Sequence, residues 1–220
     1  MIKAVIFDMD GVMIDSEPIW EKTERILLKR RGINYEATYR EKIVGLNQRD
    51  SALLLKETFG LPESIEELIE ERISILLDLY KKELKPIPGL IYLLEQLKEK
   101  GFLIALASSS PLRVINFVLD KLSLKDFFST VVSGEMVERG KPYPDIYLYA
   151  ADKLKVMPKE CVVIEDSING VRAAKSAGMR CIAIPDKRLP LDKFMEADVI
   201  VDKLSEVDVC LINSLDEAGK

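Results

Sequence analysis

The chain has 220 residues, 48% apolar and 31% charged, with a formal net charge of -5 and no histidine. That charge argues against nucleic acid as a main partner, and no stretch approaches the ~18 apolar residues a membrane span needs. Without histidine, Ser-His-Asp and Cys-His catalysis in their usual forms are excluded, as are histidine-bearing zinc sites.

The length suits one large domain or a core with one insert. The first apolar run, Ile2 to Phe7, reads as a buried strand that gives way to Asp8, Asp10 and Gly11 in a loop. Ser16 is the expected N-cap of a helix with Glu17 and Pro18 in its first turn and Gly32 at its end. A short Tyr39–Val44 segment and the loop Gly45-Leu46-Asn47 follow. Asn47 is the expected cap of a helix through Phe59, and Ser64 with Glu67 forms a capping box for a long helix to about residue 84. Residues 16–85 thus read as an all-helical unit.

The turn-rich stretch Lys85-Pro86-Ile87-Pro88-Gly89 ends it. Helix and strand then alternate. Leu90 to Gly101 reads as a helix, Leu103–Ala107 as a strand, and Ser110-Pro111 as the opening of a helix. Thr130–Val132, Cys161–Ile164, Cys181–Ile184 and Val199–Val201 read as strands. Asp145–Leu154, a segment ending at Gly178, and Leu204–Ile212 read as helices. Asn213–Lys220 reads as polar and loose. This pattern implies an α/β fold. Its core is a doubly wound, Rossmann-like parallel sheet formed by residues 1–15 and 86–220. The all-α unit of residues 16–85 is inserted as a cap. A unit inserted at a strand's carboxyl end is expected to act as a lid.

The early acids Asp8 and Asp10 interrupt the N-terminal apolar stretch, so no signal peptide is expected and the location expected is cytoplasmic. Cys161, Cys181 and Cys210 are odd in number and widely spaced. The first two read as small buried hydrophobes in a reducing compartment. Three scattered cysteines cannot form a Cys₄ site. Any metal is therefore held mainly by oxygen, which favours a hard ion such as Mg²⁺.

Polar residues recur at the strand ends. Asp8 and Asp10 follow the first strand, Ser108, Ser109 and Ser110 the second, and Glu165, Asp166 and Ser167 a later one. Gly140-Lys141-Pro142 lies beyond the third. Each has a plain alternative. Asp8 and Asp10 can be a surface turn, Ser110 a helix cap, Lys141 a solvated lysine, and Glu165 and Asp166 partners of a helix dipole. In a parallel sheet, however, all these ends share one edge. Together they suit phosphoryl transfer. A carboxylate can take the phosphoryl group, and metal and ammonium can neutralise its charge. A second carboxyl can shuttle the proton. The helix N-termini behind Ser110 and Ser167 favour an anion at the same place.

The stretches DMDGV, LASSS, GKPYPD and IEDS, in that order, closely resemble the four motifs of the haloacid dehalogenase-like hydrolases. The likeness covers the whole chain. Within that superfamily the chain most resembles the subgroup of sugar-phosphate phosphatases (hexitol or 2-deoxyglucose-6-phosphate) and β-phosphoglucomutases, and DSEPIW, LASSSPL and VVIEDSINGV look most like hexose or hexitol phosphate phosphatases. The resemblance implies a Mg²⁺-dependent phosphatase acting on small phosphomonoesters, expected to be monomeric. Asp8 would be the nucleophile and a metal ligand. Asp10 would be the general acid and base and would bind metal through its carbonyl. Ser108, Ser109 and Lys141 would bind the phosphoryl group. Asp166 would ligate Mg²⁺, with Glu165 a ligand or its neighbour. Asn47 and Arg49 would contact the rest of the substrate, although a solvated helix position is the plain alternative for Arg49.

Two positions depart from the mutase pattern. A lysine usual in mutases is replaced by Val44, and a histidine by Trp20, which favours hydrolysis over mutation. Asp10 argues against true dehalogenases, which lack that second aspartate. The rival readings are a β-phosphoglucomutase and a non-catalytic phosphate-binding protein.

Overall fold

The computed structural model describes residues 1–36, 48–186 and 188–217. The chain divides into two compact units, Met1–Ile14 with Lys85–Lys220, and Asp15–Leu84.

In the first unit six parallel strands form one sheet in the order β3-β2-β1-β4-β5-β6. They are β1 Ala4–Phe7, β2 Leu103–Ser108, β3 Thr130–Ser133, β4 Cys161–Glu165, β5 Arg180–Ala183 and β6 Val199–Ile200. Strand β1 is central, with Ala4 opposite both Leu103 and Cys161. All four of its side chains are buried, as expected of a strand covered on both faces. Alternation sends Ala4, Ile6, Ala105, Ala107 and Val163 to one face. There they pack with Tyr147, Ala150 and Ala151 of one helix and Val171, Ala173 and Ala174 of another. The small residues let the helices approach closely.

The helices of the second unit are α1 Glu17–Lys29, α2 Gln48–Phe59 and α3 Ile65–Glu83. Those of the first are α4 Leu90–Glu99, α5 Leu112–Lys121, α6 Asp145–Leu154, α7 Ile168–Ser176 and α8 Val209–Glu217. In the second unit Leu27, Leu28, Ala52, Leu55, Leu61, Leu68 and Ile75 form the core. A buried ion pair joins α1 to α3, with Arg72 donating to Glu24 at 3.1 Å, and the Arg72 guanidinium lies over the Trp20 ring.

The capping box at Ser64 and Glu67 forms as expected. Three local expectations need correction. Ser16 precedes α1 but makes no side-chain cap, because its own backbone is already helical. Ser110 does not cap α5; the side chain of Glu135 accepts from the Leu112 N–H at 2.8 Å instead. The last helix does not run through residues 204–212. A 3-10 turn at Leu204–Glu206 comes first, and α8 then continues to Glu217. Asp208 accepts from the Leu211 N–H at 2.7 Å, and Ile212 and Leu215 bury one face of α8. Cys161 and Cys181 are buried and unpaired to any disulfide. Burial pushes the Cys161 thiol up to about 12, so it stays inert.

Candidate active site

Strand order reverses direction between β1 and β4, and ligands of such sheets bind beyond the carboxyl ends at that switch. Asp8 leaves β1 there with its N–H donating to the Ile164 carbonyl at 3.0 Å, so it continues the ladder and its backbone is fixed. Its side chain is buried. Three residues on, Gly11 turns the chain with φ +77°. A side chain at Gly11 would also collide with Asp166, whose Oδ2 lies 1.9 Å from where a Cβ would stand. The absent side chain is what lets the Asp166 carboxylate approach the Asp8–Asp10 loop.

Lys141 reaches in from beyond β3. Its Nζ donates to Asp8 Oδ1 at 2.6 Å and to Glu165 Oε1 at 2.5 Å. It also lies over the Tyr147 ring. Burial alone would lower the pKa of the ammonium, but the charges of Asp8 and Glu165 and their hydrogen bonds raise it above the ordinary lysine value.

Glu165 is fully buried and saturated. Oε1 accepts from Lys141 and, at 2.7 Å, from the Tyr147 hydroxyl. Oε2 accepts from the N–H groups of Asp166 and Ser167 at 2.9 Å and from the Ser167 hydroxyl at 3.0 Å. Burial pushes its carboxyl up, yet Lys141, the Ser167 N–H and Tyr147 outweigh that and hold it below the ordinary value. With five donors on two oxygens, Glu165 has its coordinating capacity spent on the protein.

One ammonium cannot neutralise two buried carboxylates. Asp8 carries the excess. Burial, against the pull of Lys141 and helped by the nearby Glu165 and Asp10, pushes its carboxyl up to about 8.

Ser108 lies at the end of β2, buried, with Oγ accepting the Ser110 N–H at 3.1 Å. Ser109 is half-buried beside it. The Ser110 hydroxyl donates to Asp10 Oδ2 at 2.9 Å. Asp8, Asp10, Ser108, Ser109, Lys141, Glu165 and Asp166 therefore share one sheet edge. Arg49 belongs to the other unit. It is exposed on α2 and paired with Glu66 at 2.7 Å. Asn47 and Val44 lie outside the described residues. Trp20 is buried in the helical unit.

Two participants were not legible in sequence. Sequence reasoning passed over Tyr147 of α6, whose hydroxyl braces Glu165. Ser110 looked like a cap. The available signal for Tyr147 was an aromatic with a polar tip on a buried helix face, which needs a partner when buried.

Among the described residues, no group of three or more acidic or cysteine side chains forms a metal cage. The oxygen-bearing side chains near Asp8 are the carboxylates of Asp10 and Glu165, with Asp166 brought against the same loop at Gly11. Mg²⁺ typically takes one or two carboxylates and completes its shell with water and phosphate oxygens. A hard dication there would offset the burial and the repulsion from Glu165 and Asp10 that push the Asp8 carboxyl up.

The family model described as haloacid dehalogenase-like hydrolase matches residues 5–184. Hexitol phosphatase B of Escherichia coli (strain K12) is 36% identical over 223 residues, covering 94% of each chain. A phosphorylated carbohydrates phosphatase of Thermotoga maritima is 37% identical, covering 82% of this chain and 84% of its own. A solved β-phosphoglucomutase from Clostridium difficile superposes with a TM-score of 0.87 at 26% identity, covering 100% of this chain and 99% of that one.

Proposed function

The chain belongs to the haloacid dehalogenase-like hydrolases, and on that footing we propose that it hydrolyses small phosphomonoesters, sugar or polyol phosphates foremost, through an aspartyl-phosphate. The observation that carries this reading is the 2.6 Å contact between Lys141 and Asp8 at the carboxyl end of the central strand. It places a carboxylate beside a fixed positive charge, where a phosphoryl group needs both.

Asp8 attacks phosphorus, and the bond from phosphorus to the ester oxygen breaks. Asp10 gives its proton to the departing alkoxide. Asp10 then takes a proton from water, whose oxygen attacks the aspartyl-phosphate, so that inorganic phosphate leaves and Asp8 is restored. Ser108 and Lys141 donate to the phosphoryl oxygens. Glu165 and Tyr147 hold Lys141 in place and keep it charged. Asp8, Asp166 and the Asp10 carbonyl would hold Mg²⁺, which would supply positive charge against the phosphoryl oxygens.

The test is p-nitrophenyl phosphate hydrolysis by wild type and Asp8→Asn, with circular dichroism on both. Loss of turnover in a folded variant is expected. Retained turnover refutes the aspartyl-phosphate. A second reading, mutation of sugar phosphates, is supported by the likeness to a β-phosphoglucomutase. Supplying β-glucose 1-phosphate with a trace of bisphosphate separates the two. Free phosphate is expected to outpace glucose 6-phosphate, and the reverse would make the mutase the better reading.

A further inference from the structure

Ser110 closes the 108–110 serine run, and the proposed chemistry gives it no task. It is only 4% exposed, and its hydroxyl donates to Asp10 Oδ2 at 2.9 Å. We infer that Ser110 is a positioning residue for Asp10, holding the carboxyl in the orientation from which it delivers its proton to the leaving group. The inference rests on the phosphatase reading above and deepens it.

The surrounding contacts serve this one hydrogen bond. The Ser110 carbonyl accepts from the buried Ser133 hydroxyl at 2.8 Å, and its N–H donates to Ser108 Oγ at 3.1 Å. Both backbone polar groups of Ser110 are therefore tied down. The turn after β3 presses on the same loop: a Cβ at Gly134 would stand 3.2 Å from the Ser109 Cα and from its carbonyl oxygen. A capping serine would spend its hydroxyl on a helix N–H. Here the Leu112 N–H goes to Glu135, and the Ser110 hydroxyl goes to Asp10. Asp10 itself sits on a loop, at the end of a side chain with two rotatable bonds. Left alone, such a carboxyl samples several rotamers, and proton transfer needs heavy atoms within hydrogen-bond reach of each other. Anchoring one oxygen restricts that sampling.

A residue acting through a general acid has a signature that a structural residue lacks. An alkoxide needs a proton as its bond to phosphorus breaks, whereas p-nitrophenolate leaves without one. The ratio kcat/KM reports the first transfer to Asp8, before water enters. The experiment therefore compares kcat/KM for p-nitrophenyl phosphate and for a hexitol phosphate in wild type, Ser110→Ala, Ser110→Cys and Ser110→Thr, with Asp8→Asn alongside. The Ser110→Ala loss on the hexitol phosphate should exceed its loss on p-nitrophenyl phosphate by about tenfold or more, part of what a general acid contributes. The nearly isosteric Ser110→Cys should share that selective loss, which guards against misfolding of any one variant. Ser110→Thr keeps the hydroxyl and should close most of the gap. Equal losses on both substrates, or a gap in Ser110→Thr as wide as in Ser110→Ala, overturn the inference. If Asp8→Asn is dead on both substrates while those results are seen, the inference fails and the phosphatase reading stands. If Asp8→Asn stays active, both fall.

Discussion

Gly170 stands where any side chain would run into Glu165: a Cβ there would lie 1.8 Å from both the carboxyl carbon and Oε1. The first turn of α7 is thus hollowed out to receive the carboxylate that holds Lys141. The end of a glutamate side chain usually yields cheaply. This one is fixed by five donors and fully buried.

Gly170→Ala should therefore displace Glu165 and release Lys141. The overpacking cost is about 1–3 kcal/mol, which for a chain of this size lowers Tm by roughly 2–10 °C. Turnover should fall at least tenfold, a loss of about 1.4 kcal/mol in transition-state stabilisation. Calorimetry and p-nitrophenyl phosphate kinetics check both. An alanine variant with wild-type kcat would mean that Glu165 is free to move without consequence.

Asp8 makes stability depend on pH with an unusual sign. Its carboxyl is pushed up from 3.8 to about 8 in the fold, first by burial. Between those values the folded chain holds a proton that the unfolded chain has lost, so stability falls as pH rises. The contribution is complete below about pH 4 and is lost as pH climbs through about 8. In EDTA, Asp8→Asn should be more stable than wild type near pH 8, and the gap should shrink toward pH 5. Thermal unfolding across that range measures it. A gap that is constant with pH would show that Asp8 is ionised throughout.

The same proton competes with metal. Mg²⁺ should bind several-fold more tightly at pH 8 than at pH 6, and Mn²⁺ should substitute, since the donors are hard oxygens. Asp166→Ala should raise the Mg²⁺ needed for half-maximal turnover or abolish it. Calorimetric titration and activity after EDTA treatment test these outcomes. Full activity in protein shown by metal analysis to be empty would remove the ion from the reaction.

Far from the site, Asp198 ties α7 to β5. It accepts from Lys175 at 2.5 Å, Arg180 at 2.9 Å and the Cys181 N–H at 2.8 Å. Burial raises its carboxyl, but those three donors outweigh it and hold the pKa below the ordinary value. A depressed carboxylate stabilises the fold above about pH 4, and that support is lost as pH falls through its folded pKa. Asp198→Ala should cost about 2 kcal/mol at pH 7, chiefly for the buried N–H left unpaired. The deficit should narrow below pH 4. Urea denaturation at pH 7 and pH 3.5 gives the comparison.

What the sequence revealed follows from where the physics is local. Asp145–Leu154 could be bounded from sequence because prolines precede it and its apolar residues repeat at helical spacing. Asp8, Ser108 and Asp166 could be placed together because parallel strands put their carboxyl ends on one edge. The α8 boundary was not legible: Ile212 and Leu215 give only two buried apolar anchors there, and their burial is set by tertiary packing rather than by local pattern. The fate of Glu165 was not legible either. Whether a carboxylate faces a metal or a ring of donors depends on Tyr147 and on Gly170, which meet it only in three dimensions.

The central position of β1 has a consequence for how the protein comes into being. Ala4 is flanked by Leu103 on one side and Cys161 on the other. Strand β1 must wait for partners made far later in the chain, and such distant pairing is slow to close. Until β4 arrives, Glu165 cannot hold Lys141, and Asp8 has no fixed counter-charge. In a chain still lacking β4 the Lys141–Asp8 pair is therefore without its brace, and the cluster at the carboxyl end of the sheet is complete only once that last central pairing locks.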